Sequence, residues 1–356
     1  MLKQNPQIEF EGIAGTQMQA LGCRSLYPME KLSVMGLVEV LQHLPELMKM
    51  RRDLIKHWIN NPPDVVIGLD APDFNLVLET TLKKAGIPTV HYVSPTLWAW
   101  REGRHKKLKA ATDLLLAIFP FEEAYLKKFN INATYIGHPL ADKIQPQKNT
   151  TAARQVLDLK ESTTVALLAG SRMGEIKRHS AIFIEAALLL QKKDPEIQFI
   201  SNFATQKTQD YFIQQLQEQA PNLKITCFQT ETAQIFAACD IAIVASGTVT
   251  LEGLLVGRLM VVCYRLNPLT YGIIQLFKLV KIHYFSMINI LADQALAPEL
   301  LQSKCRADLI VNEVEKLLQD KNNNKKYPIY QRIRQQLKCN ASQQGAKAIF
   351  KLINQK

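Results

Sequence analysis

A chain of 356 residues with 47% hydrophobic and 21% charged residues is ordinary for a globular protein, which excludes a disordered or collagen-like one. That length exceeds what a single growing core supports, so two domains of roughly 150 residues each are expected. The formal net charge of +11 suits phosphorylated substrates, anionic lipid headgroups or nucleic acid. Its lysines and arginines are dispersed, with clusters no longer than Arg104-His105-Lys106-Lys107, so no nucleic-acid arm is read and no nucleic-acid partner is expected.

Along the chain, short β-branched and apolar runs alternate with helical patterns. This is the signature of βαβ units and parallel sheets. Strands are predicted at 8–15, 65–70, 88–93, 114–119 and 134–137, with helices at 35–60, 75–86 and 121–129 between them. The polar stretch 142–151, which contains Pro146 and lacks apolar periodicity, reads as a linker. A second strand series follows at 163–169, 197–201, 225–229, 241–244 and 260–264, and the tail 308–356 reads as polar helix broken near Asn322 to Asn324 and at Pro328. The expected fold is α/β, with two Rossmann-like domains at 1–144 and 145–335 and a C-terminal helix at 336–356. A Rossmann-like half normally starts with a strand and a Gly-rich turn. Here Lys3-Gln4-Asn5-Pro6 leads directly into the 8–15 strand, so the first βα unit of the N-terminal half is expected to be missing.

Cys23, Cys227, Cys239, Cys263, Cys305 and Cys339 show no CxxC or zinc-ligand spacing. That usage suits a reducing cytoplasm. Neither a signal peptide nor an apolar run of about 20 residues is read. The stretch 266–291 is apolar but interrupted by Asn267, Pro268, Gln275, Lys278, Lys281 and His283, and it is expected to touch a bilayer rather than cross it.

The chemistry is sought first at Gly68-Leu69-Asp70-Ala71-Pro72-Asp73-Phe74. Ligands of open parallel sheets bind beyond the carboxyl ends of strands, so Asp70 is a candidate general base on a cleft floor. Capping of the next helix is the alternative for either aspartate; Pro72 near N1 makes capping more natural for one than for both, and Asp73 is assigned the structural role.

In the second half, Gly170-Ser171-Arg172 follows a buried strand and precedes a helix. Gly170 permits close backbone approach, the helix start offers N–H groups, and Arg172 offers a cation for phosphate, although an arginine at a helix start is also often merely solvated. Further on, Ser246-Gly247-Thr248 leads to Glu252 one turn into a helix. Small residues clear space for a ligand there, and Glu252 can accept two ribose hydroxyls or simply favour the helix dipole.

No Asp-x-Asp motif is present, and His43, His57, His91, His105, His138, His179 and His283 lack ligand spacing. No metal and no cofactor are expected. Trp98, Trp100 and Arg101 follow another strand end, where they are either core or a wall for a sugar or acyl chain. The apolar helix that includes Met35 ends in Arg51 and Arg52; it is either buried or a lipid contact.

Taken together, the ordered series Gly15-Thr16-Gln17-Met18, Val34 to Val40, Asp70 to Phe74, His91 to Pro95, Trp98 to Arg101, Ile136-Gly137-His138-Pro139, Gly170-Ser171-Arg172, Ser246-Gly247-Thr248 with Leu251-Glu252, and Asn289-Ile290-Leu291 resembles the lipid-A-disaccharide synthases over nearly the whole chain. The resemblance implies a GT-B fold with a cleft between two Rossmann-like domains and a homodimer exchanging C-terminal elements. It implies inverting transfer of 2,3-diacylglucosamine from UDP to the 6-hydroxyl of 2,3-diacylglucosamine 1-phosphate. Asp70 becomes the base, while Gly170, Ser171, Arg172, Gly247, Thr248, Glu252 and Asn289 fall to the UDP-sugar site. Met35, Trp98, Trp100 and Arg101 fall to the acceptor or lipid side, and the expected location is cytoplasmic, peripheral on the inner face of the inner membrane. Family members begin with a strand and a Gly-Glu-x-Ser-Gly-Asp loop, and this chain is expected to start after them. Two other readings are a catalytically impaired truncated paralogue that binds UDP-sugar or pairs with a full-length partner, and a sugar-nucleotide epimerase.

Overall fold

The computed structural model describes residues 1–32, 37–98, 102–147, 149–245, 247–266, 283–319 and 325–355, with backbone alone for 37–43. The chain divides into two compact units, Met1–Pro139 with Cys339–Lys356, and Leu140–Lys338.

In the first unit, β1 (Glu11–Gly12) and β2 (Arg24–Ser25) form a small parallel ladder, and β3 (Val66–Leu69), β4 (Thr89–Tyr92), β5 (Leu114–Ala117) and β6 (Ala133–Tyr135) form a parallel sheet in that order. The expected strand at 8–15 therefore shrinks to two residues and stays outside the main sheet. Its side chains explain why: Glu11 pairs with Arg24 and takes the Trp58 indole N–H at 2.8 Å, which ties this segment to the helix Leu37–Asn60. By contrast, Leu114 to Ala117 are buried throughout, as a central parallel strand covered on both faces requires. Against that sheet packs the C-terminal helix Ala341–Ile353, with Ala341 and Ile349 buried beside Leu116 and Ile136. The tail expected as helix broken near Asn322 to Asn324 and at Pro328 holds the helices Ala307–Gln319, Tyr327–Leu337 and Ala341–Ile353; Pro328 sits in the first turn of the second rather than ending it, and Asn340 in the left-handed region separates the last two.

The second unit holds β7 (Thr164–Leu168), β8 (Gln198–Asn202), β9 (Ile225–Phe228), β10 (Ile241–Ala245), β11 (Leu259–Tyr264) and β12 (Glu299–Leu301). The sheet is parallel with order β9-β8-β7-β10-β11-β12, which read from its own first strand is the doubly wound order 3-2-1-4-5-6. Strand β12 carries only three residues, too few for an alternation pattern, and the sequence reading did not include it. Phe183, Phe199 and Phe212 are fully buried in one core cluster with Val165, Leu167 and Ile243. Each such side chain contributes about 1.5–3 kcal/mol of burial.

This order reverses direction between β7 and β10. A ligand crevice is expected at the carboxyl ends of those two strands.

Candidate functional site

A cavity of about 580 Å³ opens at that switch point, lined by residues from the ends of β7, β8, β10 and β11, among them Gly170, Ser171, Arg172, Glu175, Gly247, Thr248, Glu252 and Tyr264. The two loops singled out in the sequence thus meet in one place. After β7 the chain turns through Gly170 at φ +125°, a conformation that suits glycine. An added Cβ there would also press on Glu175, whose Oε2 lies within 2.7 Å of its position.

Glu175 changes the expected anion site. Its Oε2 accepts the N–H groups of Ser171 at 3.0 Å and Arg172 at 3.4 Å, so the helix start at Met173–Lys193 is capped by its own third residue. The cation remains exposed: the Arg172 side chain is 60% accessible and its guanidinium lies 3.9 Å from Glu175 Oε1. An arriving phosphate therefore competes with Glu175 for Arg172, and the loop amides are released only if Glu175 moves.

On the opposite wall, Gly247 at φ +149° leaves open space where a side chain would stand, and Thr248 precedes the helix Val249–Val256. Glu252 is half-buried within this helix. Burial raises its carboxyl above the ordinary value, Glu231 adds to the rise, and Lys143 opposes it. Lys143 Nζ reaches Glu231 Oε1 at 2.7 Å. A smaller adjoining cavity of about 410 Å³ shares Glu231, Thr232 and Glu252.

Asn289 does not line either cavity. It is buried, its amide N–H groups go to the Ala297 carbonyl at 2.8 Å and Glu299 at 2.9 Å, and its oxygen accepts from Leu296 and Ala297 N–H. Its amide organises the turn before β12.

In the first unit, Asp70 directly follows β3 with φ +49°, and Ala71 comes next at φ +42°. Aspartate tolerates the left-handed region better than most residues. Its backbone is pinned on both sides: Asp70 N–H donates to the Tyr92 carbonyl at 2.9 Å, and Asn75 donates to the Asp70 carbonyl at 2.8 Å. The helix Pro72–Lys84 takes Ala71 as its N-cap with no side-chain cap bond, so Asp70 does not cap it. The Asp70 side chain is exposed and has no partner among the described residues. Asp73 does have one, Arg104 at 2.8 Å. Behind this turn, Glu79 Oε1 and His91 Nδ1 are 2.8 Å apart and fully enclosed; Gly68 has no room for a Cβ because Glu79 occupies that space.

Trp98 meets Phe121 edge-on at 5.0 Å and directs its N–H to Glu122 Oε1 at 3.4 Å, the packing alternative for this residue. Trp100, Arg101 and Met35 lie outside the described residues, as does most of 266–291. Among the described residues no cluster of three metal-ligating side chains is present, and no helix is long and apolar enough to cross a membrane. Tyr264 and Glu231 were not singled out in the sequence. Tyr264 was findable, because it closes a predicted strand at its carboxyl end, where ligands bind.

A family model described as lipid-A-disaccharide synthetase matches residues 1–353. The lipid-A-disaccharide synthase of Photobacterium profundum is 44% identical over 352 residues, covering 99% of this chain and 92% of the relative. That of Vibrio parahaemolyticus is 45% identical over 349 residues, covering 98% and 91%. Among solved structures, a UDP-GlcNAc 2-epimerase from Neisseria meningitidis bound to UDP-GlcNAc aligns with TM-score 0.58 at 13% identity, covering 97% of this chain and 100% of that one. A spinosyn rhamnosyltransferase complexed with thymidine diphosphate aligns with TM-score 0.56 at 13% identity, covering 84% and 76%. These two likenesses bear on the fold alone.

Proposed function

Since the chain belongs to the lipid-A-disaccharide synthase family and has a GT-B type α/β fold, we propose that it is the glycosyltransferase that joins UDP-2,3-diacylglucosamine to 2,3-diacylglucosamine 1-phosphate through a β-1,6 linkage. The observation that carries the reading is the family match over 98–99% of the chain together with a switch-point cavity walled by Arg172 and Glu252. That match favours the transferase over an epimerase on the same fold.

In this reading UDP occupies the 580 Å³ cavity. Arg172 faces the diphosphate and offsets the charge that grows on it as the glycosidic bond breaks. Gly170 and Gly247 let the backbone come close, Ser171 and Thr248 offer polar contacts, and Glu252 accepts the ribose hydroxyls in its ionised form. Asn289 acts at one remove, by holding the turn before β12. Asp70, unpaired among the described residues, takes the proton from the acceptor 6-hydroxyl as that oxygen attacks the anomeric carbon. One base and one departing diphosphate account for inversion without a covalent intermediate. Trp100, Arg101 and Met35 belong to the acceptor and lipid side, which Trp98 supports from its packed place against Phe121. The basic surplus of +11 holds the enzyme on the anionic inner face of the inner membrane, as a homodimer.

The test is disaccharide synthesis in EDTA from the two lipids in vesicles containing anionic lipid, comparing wild type with Asp70→Asn. Asparagine keeps the left-handed backbone and removes the base, so the rate is expected to fall by about 10²–10⁴ while UDP affinity holds. In the same preparation the protein pellets with the vesicles at low salt and, in solution, has twice the mass of one chain. A folded wild type that binds UDP and forms no disaccharide overturns the transferase reading in favour of the binding paralogue.

A further inference from the structure

His179 lies on the helix that starts at the phosphate loop, one turn beyond Glu175, and its side chain is fully enclosed. Its Nδ1 faces the Glu175 carbonyl at 2.9 Å, which can only accept, and its Nε2 receives the Arg265 N–H at 3.0 Å. These partners define a neutral imidazole protonated on Nδ1. The ring lies 5.8 Å from the Tyr264 ring, with 26° between planes, and Tyr264 lines the 580 Å³ cavity beside Arg172 and Glu175. His179 thus joins the helix carrying Arg172 to the end of the strand carrying Tyr264.

The groups around it come from every neighbouring element. Glu175 and Arg178 belong to its own helix, the Ala169 carbonyl to the end of β7, and Tyr264 and Arg265 to the end of β11. The Arg265 guanidinium is directed elsewhere, to the carbonyls of Gln302 and Cys305. Phe183 closes the remaining side, its ring 5.8 Å away.

We propose that His179 is a positioning residue for the nucleotide-sugar pocket: the neutral ring fixes Tyr264 as a pocket wall, and taking up a proton releases the clamp and weakens donor binding. This rests on the reading of the cavity as the UDP site. The physical reason is directional. A proton on Nε2 would face the Arg265 N–H donor to donor in an enclosed place without water; the Ala169 carbonyl favours the charged ring, but burial outweighs it. Burial already draws the His179 pKa below its ordinary value, so the clamp is closed at neutral pH and opens on the acid side.

The experiment is UDP titration calorimetry on wild type, His179→Gln and His179→Phe between pH 5 and 8, with donor kinetics alongside. Phenylalanine keeps the ring against Tyr264 but leaves Arg265 N–H unpartnered; it is expected to weaken UDP about tenfold at pH 8 and to raise the donor KM with little change in kcat. Glutamine offers an oxygen to Arg265 that cannot be protonated, so it recovers most of the affinity at pH 8. The ratio of wild-type to His179→Gln affinity then falls on acidification, a readout in which the titrations of Glu252 and of UDP itself cancel. A ratio that stays constant with pH, or a folded His179→Phe that binds UDP as wild type does, overturns the proposal. Should His179→Phe fail to fold, the pH ratio with glutamine still decides. If folded wild type does not bind UDP at pH 8, the cavity assignment is what fails, and the proposal goes with it.

Discussion

Glycine and aspartate carry opposite lessons at the two ends of the chemistry. Gly170 is required twice over, by φ +125° and by the Glu175 side chain that fills the space a Cβ would need. Gly170→Ala is therefore expected to cost about 1–3 kcal/mol of backbone strain and crowding, seen as a lower melting temperature. It also pushes Glu175 against the amides of Ser171 and Arg172 and distorts the loop that carries Arg172, and that distortion weakens UDP. An alanine variant with unchanged melting and UDP binding would show that the loop is not built around this position. The sequence made Gly170 and Arg172 visible, because a glycine between a buried strand and a helix has few other reasons to be there. Glu175 stands in the first turn of the helix that follows, but its claim on the loop amides was not legible; side-chain direction at a helix start depends on φ and ψ that composition does not report. Asp70 was legible as a strand-end carboxylate, whereas its left-handed backbone was not.

At the scale of one element, the helix Pro120–Lys127 begins on a buried acid. Glu122 Oε2 accepts the N–H groups of Ile118 at 3.2 Å and Phe119 at 3.0 Å, and Oε1 faces the Trp98 indole. Burial dominates these bonds and pushes the carboxyl up to about 7. The sign follows from linkage: an acid whose folded value lies above its unfolded one binds its proton more tightly when folded. Its stabilising contribution is thus fully present below about pH 4.5 and is lost as pH rises through about 7. Glu122→Gln keeps an oxygen for both amides and cannot ionise. The melting temperature of wild type minus that of the variant should fall between pH 5 and 8, equivalent to about 1–3 kcal/mol. A difference independent of pH would mean that Glu122 stays ionised throughout and that burial is offset by its donors. Nothing in Pro120-Phe121-Glu122-Glu123 distinguishes Glu122 from its exposed neighbour Glu123, since helix period alone does not say which acid faces inward.

For the whole molecule, the parallel strand runs announced two α/β units, but not which unit the last helix completes. Ala341–Ile353 has an apolar stripe, and an amphipathic stripe states that a partner exists without naming it. The structure supplies the answer: Cys339–Lys356 belongs with Met1–Pro139, and Ile349 is buried beside Val90, Leu114, Leu116 and Ile136. The first unit is therefore assembled from both ends of the chain, while Leu140–Lys338 is one continuous stretch with its own core. Placing a charge at Ile349 separates the two. Ile349→Asp buries an unpaired carboxylate, a change that costs upwards of about 3 kcal/mol, and it should act on the first unit alone. Chemical denaturation followed by fragment-specific proteolysis is expected to show the first unit opening at lower denaturant with the second unchanged. UDP at about a hundred times its Kd adds roughly 2.7 kcal/mol to whatever binds it, so it should shift only the second transition, equally in wild type and variant. Under the proposed assignment, disaccharide synthesis is lost with the first unit, where the proposed base Asp70 resides, and UDP binding is kept. If instead the variant lowers both transitions together, the two cores unfold as one cooperative body and the C-terminal helix stabilises the whole chain.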